Sequence, residues 1–318
     1  MNATSKPPRW KILLAFATIY FVWGSTFLAI RIGVREVPPY LFAAMRFFAA
    51  GLLLFLWART RGIPFPRARE WASASLLGFV IFVLDYGSLF WAEKRVPSGI
   101  AAVMLAMIPA FMALSEIIFL RTQKVTIRLS CAMLAGLAGV AVLVNPFVSL
   151  GQTPIDLLGA AALLIASISW SIAAILTRKL PLPESKIMSS SAQMLAGGVF
   201  LGITAALLGD FAGFSLRTVP LGVWIALGYL ILAGSIVAFT AYVWLIHHES
   251  PTRVGTYAYV NPVIAVLLGY FFGGEAMGAR TVAGTVLVLL SVVVITTAPK
   301  KKLDAADPAE DVAECVES

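Results

Sequence analysis

The feature that most constrains this chain is a series of apolar runs of about 18 to 22 residues, the length that an α-helix needs to cross about 30 Å of hydrocarbon. One of them, "YLFAAMRFFAAGLLLFLW", extends from Tyr40 to Trp57 and contains a single charged residue, Arg46. Of the 318 residues, 60% are hydrophobic and 13% are charged. A soluble domain has too little interior to bury so much apolar surface. The sequence therefore predicts an all-α, polytopic membrane protein.

Ten such runs can be placed along the chain, and none has the short h-region and small-residue cleavage site of a signal peptide. The predicted spans are Ile12 to Ile30, Tyr40 to Trp57, Trp71 to Ala92, Gly99 to Phe119, Leu129 to Phe147, Leu157 to Thr177, Ile187 to Leu208, Gly222 to Ile246, Val254 to Gly273 and Thr281 to Ala298.

The distribution of Lys and Arg predicts the orientation of these spans. With the N-terminus in the cytoplasm, 17 of the 24 Lys and Arg residues lie on the cytoplasmic side, 6 lie on the other side, and Arg46 lies within a span. We therefore expect both termini to lie in the cytoplasm. The net charge of +8 fits basic loops that face anionic membrane lipid, and nothing else indicates nucleic-acid binding.

The reactive residue types are few. Cys131 and Cys315 lie far apart, so we expect no disulfide, and the two histidines are adjacent at positions 247 and 248. No third ligand and no catalytic group at membrane depth accompanies them, so we expect no metal site, no cofactor and no enzymatic activity. We expect a monomer or a weak homodimer.

An internal repeat becomes visible when the chain is aligned with itself. An offset of 147 residues matches Trp23 with Trp170, Arg31 with Arg178, Arg46 with Gln193, Ala49 with Ala196 and Gly51 with Gly198. With small changes of offset, Leu77-Gly78 matches Leu227-Gly228, and Pro109 matches Pro262. Because each half contains five spans, the second half enters the membrane from the opposite side, which predicts an inverted repeat with substrate bound between the halves.

This repeat defines the expected organisation of the chain. Residues 1–11 form a cytoplasmic N-terminus, 12–147 a first five-helix repeat and 157–298 a second. The acidic, aromatic-free segment 299–318 is predicted to be a disordered cytoplasmic tail.

Four segments carry a resemblance to a known family: "VWGSTFLAIRIGVREVPPYLFAAMRF", "VPSGIAAVMLAMIPAF", "SISWSIAAILTRKLP" and "TYAYVNPVIAVLLGYFFGGE". In these segments the chain resembles the EamA family of the drug/metabolite transporter superfamily, close to its inner-membrane members. The resemblance implies two inverted five-helix repeats around a central cavity and export of small metabolites, amino acids or toxic compounds. Gly274-Glu275 supplies the Gly-Glu pair of the second repeat, but the matching place in the first reads Arg121-Thr122, so we expect no symmetric role for this glutamate.

The candidate site residues lie within the predicted spans. Pro109 and Pro262 are candidate gating residues, because a proline within a helix frees a carbonyl and bends the axis. The candidate substrate-binding residues share polar or aromatic character at positions within the spans, and they are Trp23, Thr26, Arg46, Asp85, Trp170, Gln193, Tyr257 and Asn261.

Arg46 and Asp85 are predicted at a shared depth, about 9 and about 10 Å from the outer ends of their spans. Either charge left unpaired in hydrocarbon costs about 2.5 to 3.5 kcal/mol. We expect both to face the cavity, where they either pair directly or share a polar cluster. The alternative is that Arg46 extends along its stem to the outer headgroups.

Together with the inverted repeat, the resemblance implies a secondary transporter of the bacterial inner membrane that exports a small organic solute by alternating access. The alternative is a flippase for a lipid-linked metabolite, which should have a lateral opening and several basic residues for a pyrophosphate. The spans contain one arginine.

Overall fold

A computed structural model of the chain describes residues 7–115, 117–118, 126–144, 155–249, 254 and 256–297. Within these ranges the secondary structure is helical and no strand occurs. The principal helices are α1 (Arg9–Glu36), α2 (Pro39–Thr60), α3 (Ala68–Glu93), α4 (Ser98–Ser115), α5 (Ile127–Val144), α6 (Leu157–Lys179), α7 (Lys186–Leu207), α8 (Leu221–Tyr229 continuing through Leu230–Val237 and Ala238–His248), α9 (Tyr257–Gly273) and α10 (Ala279–Thr296).

In the described part of the chain, seven helices are long and apolar enough to cross a membrane, namely α1 to α4 and α6 to α8. The remaining three, α5, α9 and α10, are shorter apolar helices at the positions of predicted spans 5, 9 and 10. The all-helical membrane fold is therefore confirmed. The predicted tail and Arg121-Thr122 lie outside the described residues.

Helix boundaries follow local chemistry. Asp156 caps α6 by accepting a hydrogen bond from the Leu158 amide at 2.9 Å, since the first amides of a helix have no partner within it. Pro39 begins α2, where its missing N–H costs nothing. Gly274 ends α9 in the left-handed region, with φ of 66°, which glycine adopts without steric strain. This turn sets the direction of Glu275.

Two helices contain π-helical segments that the sequence analysis did not predict. They are Phe79–Gly87 in α3 and Leu230–Val237 in α8. The repeat alignment that matches Gly78 with Gly228 also superimposes these segments, and it matches Asp85 with Ser235. π-Helical turns interrupt the regular ladder of backbone hydrogen bonds and often occur at functional sites.

Helix packing follows the same correspondence between the halves. α2 packs on α7, α5 on α10 and α4 on α9, so three helices contact their own counterparts. α1 packs on α8 and α9, and its counterpart α6 packs on α3 and α4. Each of these contacts made by the first half therefore has a matching contact made by the second.

The α2–α7 contact depends on one glycine from each helix. A Cβ built on Gly51 would lie 2.8 Å from the backbone nitrogen of Leu195, and one built on Gly198 would lie 2.6 Å from that of Phe48. Gly51 and Gly198 match in the repeat, and so do Phe48 and Leu195. The helices thus approach backbone to backbone, as small residues allow in membranes.

Three other glycines within the helices differ in how closely they are packed. A Cβ on either Gly136 or Gly139 of α5 would contact α10 atoms at less than 3.0 Å, so both glycines permit a close helix contact. Gly202 lies four positions after Gly198 on α7, but no atom lies within 4 Å of its built Cβ.

Replacement of Gly198 by alanine should therefore destabilise the protein, because the new methyl group meets backbone rather than a movable side chain. We expect Gly198→Ala to lower the free energy of unfolding by about 1 to 3 kcal/mol, as overpacking does. Gly202→Ala is the matched control and should leave stability unchanged or slightly higher. The apparent melting temperatures of the purified variants in detergent measure the difference, and equal values would contradict the close contact.

Candidate functional site

A cavity of about 650 Å³ lies between the two halves of the helix bundle. The sequence predicted ten site residues, and the structure brings all ten to the wall of this cavity. They are Trp23, Thr26, Arg46, Asp85, Pro109, Trp170, Gln193, Tyr257, Asn261 and Pro262. Five of these residues precede residue 147 and five follow residue 157, so both halves of the chain line the cavity. Among the described residues, no group of three or more His, Cys, Asp or Glu side chains could hold a metal ion.

Three aromatic side chains form one wall of the cavity. The ring of Trp23 lies 5.2 Å from that of Tyr242 and 5.1 Å from that of Tyr257, centroid to centroid. The indole Nε1 of Trp23 donates a hydrogen bond to the Gly234 carbonyl at 3.2 Å, in the π-helical segment of α8. This bond satisfies the polar edge of the indole and leaves its apolar faces for packing.

The counterpart of Trp23, Trp170, lies on another wall. Its ring packs edge-on against that of Tyr86 at a centroid distance of 6.4 Å. Tyr86 in turn lies 4.6 Å from Phe47. Tyr86 and Tyr242 were not among the predicted residues, because an aromatic residue in an apolar span gives no signal that separates cavity lining from helix packing.

Arg46 lies in the cavity wall and is only 4% exposed, so it does not extend to the outer headgroups. Its Nε donates a hydrogen bond to Ser235 Oγ at 3.2 Å. The guanidinium also lies over the rings of Phe47 at 4.7 Å and Tyr86 at 5.6 Å, within the range of a cation–π contact.

Direct pairing of Arg46 with Asp85, one of the two predicted arrangements, is not found. Both side chains line the cavity, but no ion pair joins them among the described residues. Depth along the membrane normal, on which that prediction rested, does not fix the direction in which each side chain points. The partner of Arg46 is instead Ser235, the counterpart of Asp85 in the second half.

The two amide side chains make local contacts. Gln193 donates from Nε2 to Ser189 Oγ at 3.0 Å within α7. With the Asn261 amide nitrogen assigned to the side that faces two carbonyls, it donates to Tyr20 at 3.1 Å and Tyr257 at 3.3 Å. Asn261 therefore connects α9 to α1. A proline within a helix leaves the carbonyl four residues earlier without its usual donor, but Asn261 donates to neither that carbonyl nor its neighbour Tyr259.

The matched prolines have unequal structural effects. α4 is interrupted by a turn at Ala106 and Met107, and its second segment, Ile108–Ser115, begins directly before Pro109. α9 continues through Pro262 from Tyr257 to Gly273 without a break. Interruption of both equivalent spans was predicted, and it is found in α4 alone.

A cluster of polar contacts around Glu275 joins the two halves at one end of the bundle. Its Oε1 accepts hydrogen bonds from the Ser98 amide and hydroxyl, both at 2.7 Å, and its Oε2 accepts from the Gly99 amide at 3.0 Å. Oε1 also lies 3.3 Å from Nε of Arg31. The carboxylate thus caps the first turn of α4, where the helix dipole favours negative charge.

Arg31 connects this cluster to α3 and α1. Its Nη1 donates to the backbone carbonyls of Glu93 and Val96 at the end of α3. A second ion pair at the same end joins Arg95 Nε to Asp156 Oδ2 at 3.2 Å. The ion pairs of Arg31 and Arg95 were not predicted, because a single sequence does not reveal which loop charges meet.

With this geometry established, comparison with known proteins identifies the family. The sequence profile of the EamA-like transporter family matches the chain twice, at residues 9–145 and 157–297. The chain belongs to the EamA-like transporter family.

Several relatives extend over most of this EamA-like chain. "Uncharacterized inner membrane transporter YedA" of Escherichia coli K12 is 38% identical over 285 residues, covering 89% of each chain. "WAT1-related protein At3g02690, chloroplastic" of Arabidopsis thaliana is 26% identical and covers 90% of this chain and 69% of its own. A crystal structure that covers 91% of this chain and 98% of its own, with 21% identity and a TM-score of 0.59, shares the fold.

The contacts of Arg46 in this EamA-like protein can be tested by double-mutant cycles on thermal stability. Arg46→Ala and Ser235→Ala should show an interaction energy of about 0.5 to 3 kcal/mol, because the two side chains are hydrogen-bonded. Arg46→Ala and Asp85→Asn should show a smaller interaction energy, because neither a hydrogen bond nor an ion pair joins these two described side chains. Larger coupling to Asp85 than to Ser235 would contradict the geometry.

Proposed function

We propose that this chain is a secondary transporter that moves a small organic solute across the inner membrane by alternating access, in the direction of export. The observation that carries the proposal is the cavity, which both matched segments line and which combines an apolar wall with a few polar groups. Such a combination is typical of small-molecule sites. The name of the relative in Escherichia coli, an inner membrane transporter, supports the location and the class.

We further propose ten spans arranged as two inverted five-helix repeats, 12–147 and 157–298, with both termini in the cytoplasm. Three observations support this arrangement: the family profile matches each half separately, the helix contacts of one half recur in the other, and the π-helical segments fall at matched positions. An inverted repeat places the substrate site between the halves and lets them rock about it.

In this proposal each end of the cavity has a gate, which is a set of contacts that must break before the solute can pass. The end that carries Arg31 and Glu275 is closed by hydrogen bonds that join α1, α3 and α4 to the loop between α9 and α10. Cavity residues at the opposite end include Ser190 near the start of α7 and Ile295 near the end of α10. By the predicted orientation the closed end faces outward. Release of the solute to the outside then requires the Glu275 contacts to break.

The proposal can be tested with an expressing strain that is challenged with amino acids, their analogues and toxic organic compounds. We expect overexpression to reduce the accumulation of at least one compound. Trp23→Ala and Trp170→Ala should remove most of this effect, because both side chains line the cavity. Trp224→Ala is the matched control, since Trp224 is 37% exposed on α8 and does not line the cavity.

Equal amounts of each variant in the membrane must be confirmed by immunoblot. Transport that is unaffected by both cavity variants would contradict the assignment of the cavity. Failure of every compound in the panel to respond to overexpression would contradict the export function.

A further inference from the structure

We infer that the solute carries a carboxylate, and that Arg46 is the residue that recognises it. This inference rests on the proposed transport function and adds the chemical class of the substrate. It starts from the charge balance of the cavity, in which a permanent cation lacks an anionic partner.

Arg46 is buried, and its hydrogen bond to Ser235 uses only Nε. Its Nη1 is buried without a hydrogen-bond partner among the described residues. Guanidinium remains charged in proteins and cannot adapt to burial by losing a proton. An unpaired cation in such a place is unfavourable unless an anion binds to it.

The chain does not supply that anion in this structure. Five ionisable side chains line the cavity within the described residues, namely Arg46, Asp85, Tyr86, Tyr242 and Tyr257. Of the acids near Arg46, neither Asp85 nor Glu93 forms an ion pair with it, and Glu275 pairs with Arg31. Arg46 is thus the one group in this lining set whose charge is permanent.

The surroundings of Arg46 fix its orientation. Ser235 Oγ donates its proton to the Leu230 carbonyl at 3.0 Å within the π-helical segment, which leaves the hydroxyl oxygen to accept from Nε. The rings of Phe47 and Tyr86 pack against the guanidinium. With Nε committed, the edge formed by Nη1 and Nη2 remains for a ligand, and this edge matches the two oxygens of a carboxylate.

The apolar part of the cavity indicates the rest of the ligand. Trp23, Tyr242 and Tyr257 form an aromatic wall, and the volume of about 650 Å³ accommodates a small ring with a short side chain. We therefore propose an amphipathic organic acid. An organic cation fits less well, because it would share a buried cavity with Arg46 and find only Asp85 as an acid.

The test uses three probes of nearly equal shape: 3-phenylpropionate, 3-phenylpropylamine and 3-phenylpropanamide. Binding to the purified full-length protein in detergent is measured by the shift in melting temperature and by tryptophan fluorescence. The acid should bind more tightly than the amine and the amide. Arg46→Gln should weaken binding of the acid about tenfold or more, as loss of a charged hydrogen bond does.

Two further variants make the result specific. Arg46→Lys should retain part of the affinity, because the charge remains. Arg35→Gln should bind the acid like the unmodified protein, because it removes a positive charge from an exposed position at the end of α1, outside the cavity.

Comparison of the three probes on the unmodified protein decides the proposal even if the Arg46 variants do not fold. Acid binding that is no tighter than binding of the amine or amide overturns it, and so does acid binding that is unchanged in folded Arg46→Gln. Uptake by proteoliposomes then tests the function separately. Arg46-dependent binding of the acid without movement across the membrane would support the substrate class and contradict transport.

Discussion

The contact between α2 and α7 determines where the cavity lies and what lines it. Gly51 and Gly198 let the two backbones meet, and each lies five residues after a cavity residue, Arg46 and Gln193 respectively. A larger side chain at either glycine would separate the helices and shift both of these polar groups. Because lipid tails are as apolar as the side chains, no hydrophobic force drives helices together in a bilayer, and close van der Waals packing contributes to their association. The contact therefore determines both the fold and the geometry of the site.

The matched positions of the two halves carry different polar groups. The matched positions of α2 and α7 hold a permanent cation, Arg46, and a neutral amide, Gln193. The matched π-helical segments hold an acid, Asp85, and a hydroxyl, Ser235, and it is the hydroxyl that binds Arg46. These differences place different charges and hydrogen-bonding groups on the two sides of the cavity, although the helices of the two halves correspond. They provide a physical basis for binding one end of a solute differently from the other.

The sequence predicted much of the fold and the membership of the cavity, because apolar length and repeat spacing are one-dimensional signals. Helix ends were less predictable: α1 extends from Arg9 to Glu36, beyond the predicted apolar run, since a helix continues past the hydrocarbon. The sequence also could not predict the hydrogen-bond partner of Arg46. Depth does not fix the direction of a side chain around the helix axis, and π-helical turns alter that direction. The role of Glu275 depends on the left-handed turn at Gly274 and on contacts with α1 and α4, which are distant in sequence.

In the proposed transport cycle, the cavity opens to one side of the membrane at a time and the Glu275 cluster holds the outer end shut. Labelling of a single cysteine, Gln193→Cys, with a membrane-impermeant maleimide tests it most directly, after Cys131 and Cys315 are replaced by serine. The account predicts faster labelling from the cytoplasmic side in inside-out vesicles, and a several-fold increase from the outer side in right-side-out vesicles when Glu275→Gln is added. Equal labelling from both sides, unchanged by Glu275→Gln, would contradict it.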